Sequence, residues 1–152
     1  GGNQGGGQAS QQQQGQGHSQ AVTCSTGVTL NNEFYALTGS LDATVKAWDS
    51  SANLQITEGH GQGVYALETV ADAGGNTLLI VGLEKGNIMV RAFPSFTNLF
   101  SLDTRYTFGH AAGPVRTIVQ GPSQTFFTGA EDGKVYVWQI QGDVAALLAK
   151  QG

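Results

Sequence analysis

The chain of 152 residues holds one cysteine, one methionine, three prolines and few charges, seven basic against eleven acidic. With Cys24 alone, an intrachain disulfide and a zinc site built on several cysteines are excluded. Cys24 stands in the strand-like run Ala21-Val22-Thr23-Cys24, where a small buried hydrophobe is the expected role. The basic residues are scattered singly from Lys46 to Lys150, whereas a groove that follows nucleic-acid phosphates needs them clustered. Direct nucleic-acid binding by this segment is therefore not expected. No apolar run approaches the roughly twenty residues of a membrane span, and no secretory leader is read, so the expectation is a soluble intracellular protein of the nucleus or cytoplasm, without membrane contact.

Charge is missing altogether from the first twenty residues, which are almost wholly Gly and Gln. Such a segment has no apolar surface to offset its ordering entropy, so residues 1–16 are expected to be disordered. Two roles are open to it, a condensation-prone tract or an expanded loop. Its place immediately before Gly17-His18 favours the loop.

Against these absences stands a threefold repeat. Gly17-His18, Gly59-His60 and Gly109-His110 are 42 and 50 residues apart, near the period of a four-stranded repeat unit. Thr38, Asp42 and Trp48 follow the first pair, and Thr128, Asp132 and Trp138 follow the third. Leu37 through Trp48 aligns with Phe127 through Trp138 without a gap. The middle copy has Val81, Lys85 and Arg91 at those three positions. In each copy an apolar strand runs into a tight turn and a new strand follows. Glu131-Asp132-Gly133 is hairpin chemistry, because Asp-Gly supplies the positive φ angles of a two-residue turn. Short strands at regular spacing predict an all-β fold.

These features resemble WD40 repeats from about Gly17 to about Ile140. The resemblance implies a β-propeller fragment of about three four-stranded blades, near 17–58, 59–108 and 109–152. It also implies one buried hydrogen-bond network per intact blade, His18, Thr38, Asp42 and Trp48 in the first and His110, Thr128, Asp132 and Trp138 in the third, with only His60 kept in the middle. The order of the copies, with Phe93-Pro94-Ser95-Phe96, Gly121-Pro122 and Phe126-Phe127-Thr128-Gly129, is similar to the last three blades of plant and algal CCCH zinc-finger proteins that end in a WD40 propeller. Propellers close with about four to eight blades. Three would leave two apolar blade faces open, so the chain is read as the C-terminal part of a larger propeller.

Imidazole, hydroxyl and carboxylate together suggest nucleophilic catalysis, which needs an exposed hydroxyl facing an oxyanion hole. Here the trio recurs at blade spacing, each time with a Trp. An enzyme has little reason to repeat its active site per blade, so no catalytic residue is assigned. The three His occupy equivalent positions around a ring and would not converge within the about 2 Å of one ion that ligation needs, so neither a metal nor a cofactor is expected. Function is left to the surface. In this family partners dock on the loops entering the innermost strand and on the turns between second and third strands. That points to Leu41, Glu84, Lys85 and Glu131 on the turns and to Gln20, Gln62 and Gly113 in the loops.

Arg91, at a Trp position, is expected either to pair, with Glu84 as candidate, or to stand outside with a solvated head. The middle blade, without its brace and with a long connection from Pro94 to Tyr106, is expected to be the least rigid. The function implied is a non-catalytic scaffold for protein partners, serving an upstream zinc-finger region with a nucleic-acid-related role. The alternative is a substrate-recognition propeller of a ubiquitin ligase complex.

Overall fold

The computed structural model describes residues 16–102, 110 and 113–143, with the backbone alone for 98–102. The low-complexity segment lies outside the described residues except for Gln16, and so does all of the chain after Asp143. Among the described residues eleven strands form three antiparallel meanders. The first sheet has β1 (Val22–Leu30), β2 (Glu33–Ser40), β3 (Thr44–Asp49) and β4 (Leu54–Gly59). The second has β5 (Val64–Ala71), β6 (Thr77–Leu83), β7 (Ile88–Ala92) and β8 (Asn98–Leu102). The third has β9 (Val115–Gln120), β10 (Thr125–Ala130) and β11 (Val135–Gln139). Among the described residues no helix is long and apolar enough to cross a membrane.

Strand patterning explains the stacking. Successive side chains of a strand point to opposite faces, so a strand covered on both sides reads as a continuous apolar run. β6 is that strand, with every residue from Leu78 to Leu83 buried. One of its faces joins Leu37, Val45 and Ala47 of the first sheet in a core that also takes Leu79, Val81, Phe93 and Phe96. The other face carries Leu78 and Ile80 into a second core with Ile118, Phe126 and Ile140. Two glycines set how closely the sheets approach. A Cβ at Gly39 would stand 2.5 Å from Val64 Cγ1, and one at Gly82 would stand 2.8 Å from Val115 Cγ1. The first strand of each following sheet lies against the Gly of the Thr-Gly or Val-Gly pair before it.

Four details depart from the sequence-based expectations. The connection from Pro94 to residue 106 contains β8, which pairs with β7. The turns are not two-residue turns with two positive φ angles. Leu41-Asp42-Ala43 bridges β2 and β3, and the left-handed backbone falls only on Ala43 (φ 72°), as it does on Gly86 (φ 92°) and Gly133 (φ 78°) in the equivalent turns. That is the three-residue hairpin loop, in which the last residue alone needs positive φ. The third sheet shows three strands among the described residues. Of the two outward sheet faces the third sheet's is the more apolar: it exposes Val119, Phe127, Val135 and Val137 side by side, whereas the first sheet exposes Ser25, Gly27 and Thr29 along β1 with Phe34 and Leu54 on its other strands.

Candidate functional site

The first and third sheets build the same four-residue chain. Trp48 Nε1 donates to Thr38 Oγ1 at 2.9 Å, Thr38 Oγ1 lies 2.7 Å from His18 Nε2, and His18 Nδ1 lies 3.1 Å from Asp42 Oδ2. In the third sheet the matching distances are 2.9 Å for Trp138 to Thr128, 2.7 Å for Thr128 to His110 and 3.2 Å for His110 to Asp132. An indole N–H only donates and a carboxylate only accepts, so the two ends of the chain are fixed. His Nδ1–H donates to Asp, and with a neutral imidazole Nε2 accepts from Thr, which accepts from Trp. The Asp carboxylates also close the turns: Asp42 accepts Thr44 N at 2.9 Å and Ser19 N at 3.0 Å, and Asp132 accepts Lys134 N at 2.9 Å.

The Asp42 side chain is 8 % exposed. Burial pushes its carboxyl up, but the hydrogen bonds from Thr44, Ser19 and His18 together outweigh that and hold it well below the usual carboxylate range. Both Thr hydroxyls are spent between an indole and an imidazole, and Thr128 and His110 are 1 % and 0 % exposed. A nucleophile needs a free hydroxyl facing solvent or substrate; the buried Thr128 faces neither, and the half-buried Thr38 is held by the same two partners. The arrangement satisfies buried polar groups and ties loop, strands and turn together. Cys24 packs at Gly39, and burial raises its thiol, the opposite of an activated cysteine.

The middle sheet carries a different brace, and Arg91 is its centre. Arg91 is buried, and its partner is Glu58, not Glu84. Nη2 donates to Glu58 Oε2 at 3.2 Å, Nη1 to His60 Nε2 at 2.8 Å and Nε to the Phe96 carbonyl at 3.0 Å. The guanidinium lies 5.8 Å from the centre of the Phe96 ring, and Phe96 packs edge-on against Phe93. A buried guanidinium needs its donors met, and a carboxylate, an imidazole and a carbonyl meet them. The aligned copies hold a signal for this pairing: an acid precedes Gly-His only where Arg replaces Trp, since Glu58 stands where the other copies have Gln16 and Phe108.

Arg91→Met is expected to strand the carbonyl of the buried Phe96, while the partly exposed Glu58 carboxylate turns to water, and to destabilise the fold by about 1–3 kcal/mol in denaturant titrations. A pH effect accompanies it. Burial first, then the Arg91 charge, lowers His60 from 6.5 to about 4. The unfolded chain takes a proton as pH falls below about 6.5 while the folded chain resists it until about 4, so stability falls with pH across that window. Without the Arg91 charge the slope should become shallower.

The WD domain, G-beta repeat family matches residues 10–49 and 102–139, together just over half of the chain. The chain belongs to the WD40 repeat family. A human relative, WD repeat- and FYVE domain-containing protein 4, is 29% identical over 134 residues, which cover 82% of this chain and 4% of that protein. Similar folds occur in the structures of U3-55K and of the RRP9 WD40 repeats, each with a TM-score of 0.63 and 18% identity over 82% of this chain, covering 38% and 37% of theirs. The chain thus spans well under half the length of the relatives it matches. WD40 propellers are in general non-catalytic scaffolds that bind protein partners, and the three sheets are WD40 blades.

On the loop face the residues singled out in the sequence lie in linked loops. Glu84 accepts Gly63 N at 3.2 Å. Gln62 Oε1 accepts Lys85 N at 2.7 Å while its Nε2 donates to Asn87 at 3.1 Å, so its amide is committed within the molecule. Leu41 is half-buried rather than bare, its Cδ2 3.5 Å from where a Gly63 Cβ would stand. Glu131 pairs with Arg116 at 2.6 Å and flanks Gly113. Gln20 is exposed, and its carbonyl accepts Ser40 Oγ at 3.2 Å.

The sequence reading missed the bulges of the innermost strands, β1, β5 and β9. Each carries a bulge at its second residue, where the register slips between Val22 and Cys24, between Val64 and Ala66 and opposite Gly129 and Ala130. The unpaired residues are Thr23, Tyr65 and Arg116. Bulges re-aim side chains, and no composition signal marks them here because the three residues share no chemistry.

Proposed function

We propose that this chain is a non-catalytic scaffold that captures protein partners on the loop face carrying Leu41, Gln62, Glu84, Lys85 and Glu131. The supporting observation is the bracing of that face. The Gln62–Lys85, Gln62–Asn87 and Glu84–Gly63 hydrogen bonds hold loop and turn together before any partner arrives, and pre-ordered loops cost less entropy on binding. Leu41, between Ser40 and Asp42, supplies an apolar contact among polar neighbours. The likeness of the blade order and of Phe93-Pro94-Ser95-Phe96 to CCCH zinc-finger proteins supports a place in a larger protein whose zinc-finger region serves a nucleic-acid role, with the propeller as its protein-binding part.

In the full-length protein, Leu41→Arg should abolish partner capture in a pull-down compared by mass spectrometry. The melting temperature should shift by only a few degrees, since an Arg stem can cover the surface Leu41 covers. Identical partner lists would remove Leu41 from the site, and an unfolded variant would make it a packing residue. Fingers of the CCCH type in the full-length coding sequence would support the larger assignment; a RING or F-box segment would replace it with the ubiquitin-ligase reading.

A further inference from the structure

Two of the three bulged positions meet. The Arg116 guanidinium lies 5.3 Å from the centre of the Tyr65 ring, and its Nε donates to Glu131 Oε2 at 2.6 Å. Tyr65 Cε1 and Leu41 Cδ2 stand 3.3 and 3.5 Å from the place of a Gly63 Cβ, so Leu41, Tyr65 and Arg116 form one run across all three blades. Gly63 and Gly113 put no side chain over it. We infer that Tyr65 and Arg116 make the loop face selective for a partner segment that presents a carboxylate side chain next to an apolar one. The inference rests on the loop-face reading above and specifies its ligand.

The charge balance of the face supports this. Both acids are engaged inside the molecule, Glu84 by Gly63 N–H and Glu131 by Arg116 Nε. Among the described residues neither the two Nη groups of Arg116 nor the Lys85 ammonium has a partner, and the Arg116 side chain is 57 % exposed. A guanidinium whose Nε is held by one carboxylate keeps the Nη edge for a second, and charge-assisted pairs of that kind are the stronger hydrogen bonds. The ring beneath Arg116 holds its plane in place, so less side-chain entropy is lost on pairing. Leu41 and the Tyr65 ring then take the apolar neighbour.

The test presents the full chain to immobilised peptides of Gly and Ser around a central Leu-Glu, Leu-Gln or Leu-Lys pair. Retention of Leu-Glu peptides should exceed that of Leu-Gln by about tenfold and fall with added salt. Arg116→Gln should erase the difference. Glu131→Gln, which releases the guanidinium from its intramolecular carboxylate, should raise Leu-Glu retention, a gain that a damaged fold would not give. Equal retention of Leu-Glu and Leu-Gln, or a preference that survives Arg116→Gln, overturns the inference and leaves the scaffold reading standing. Retention of no peptide overturns it too, and a partner list unchanged by Leu41→Arg would show that the loop-face reading had failed first.

Discussion

Asp132→Ala should destabilise the fold by about 1–3 kcal/mol, because it strands the Nδ1–H of His110, a side chain with no exposure to water. The remaining members of the chain cannot compensate. Thr128 Oγ1 already accepts from Trp138 and lies against His110 Nε2, and Lys134 N loses its side-chain acceptor at the turn. Lys85→Ala, at the equivalent turn position of the middle blade, should stay within about 0.5 kcal/mol, since Gln62 takes the Lys85 backbone N–H and the ammonium has no partner among the described residues. Chemical denaturation of the full-length protein measures both. Equally mild effects would show that the Asp132 contact seen here does not brace the blade.

The chain by itself should associate in a concentration-dependent way and bind a hydrophobic dye. Leu37, Val45 and Ala47 of the first sheet have no exposure because the second sheet covers them. The aligned residues of the third sheet are Phe127, Val135 and Val137, exposed by 38, 72 and 59%. Register makes them one patch, with Phe127 opposite both Val119 and Val137. A contiguous apolar sheet face of this kind is an association surface. Val137→Lys should reduce both dye binding and association of the chain without lowering its melting temperature, since that side chain touches no core. A sharp monomer peak for the unaltered chain at every concentration, without dye binding, would mean that this face is covered.

Part of the site was legible before any coordinates because its signal is repetition. Two ungapped copies of the Thr-Gly, turn-Asp and strand-Trp series at blade spacing mark a role that each blade needs separately, and the geometry of both copies agrees to within about 0.1 Å in its three links. Where the repeat broke down, so did the reading. Arg91 was expected beside Glu84 or in solvent, yet it is buried against Glu58, which belongs to β4 of the preceding sheet. A pairing between blades leaves only the acid before Gly59-His60 as its trace in the aligned copies.

The sequence alone determined the all-β class, the strand-turn-strand units, the two intact hydrogen-bond chains and the unlikeness of the middle copy. These rest on interactions within one blade, where residue spacing and side-chain alternation suffice. Only the tertiary structure decided the Glu58–Arg91–His60 brace, the stacking of Arg116 on Tyr65 across blades, the half-burial of Leu41 and the apolar character of the third sheet's outward face. Each depends on how one sheet lies against the next. That placement is set by the close approach of Val64 and Val115 to Gly39 and Gly82, a contact between residues far apart in the chain.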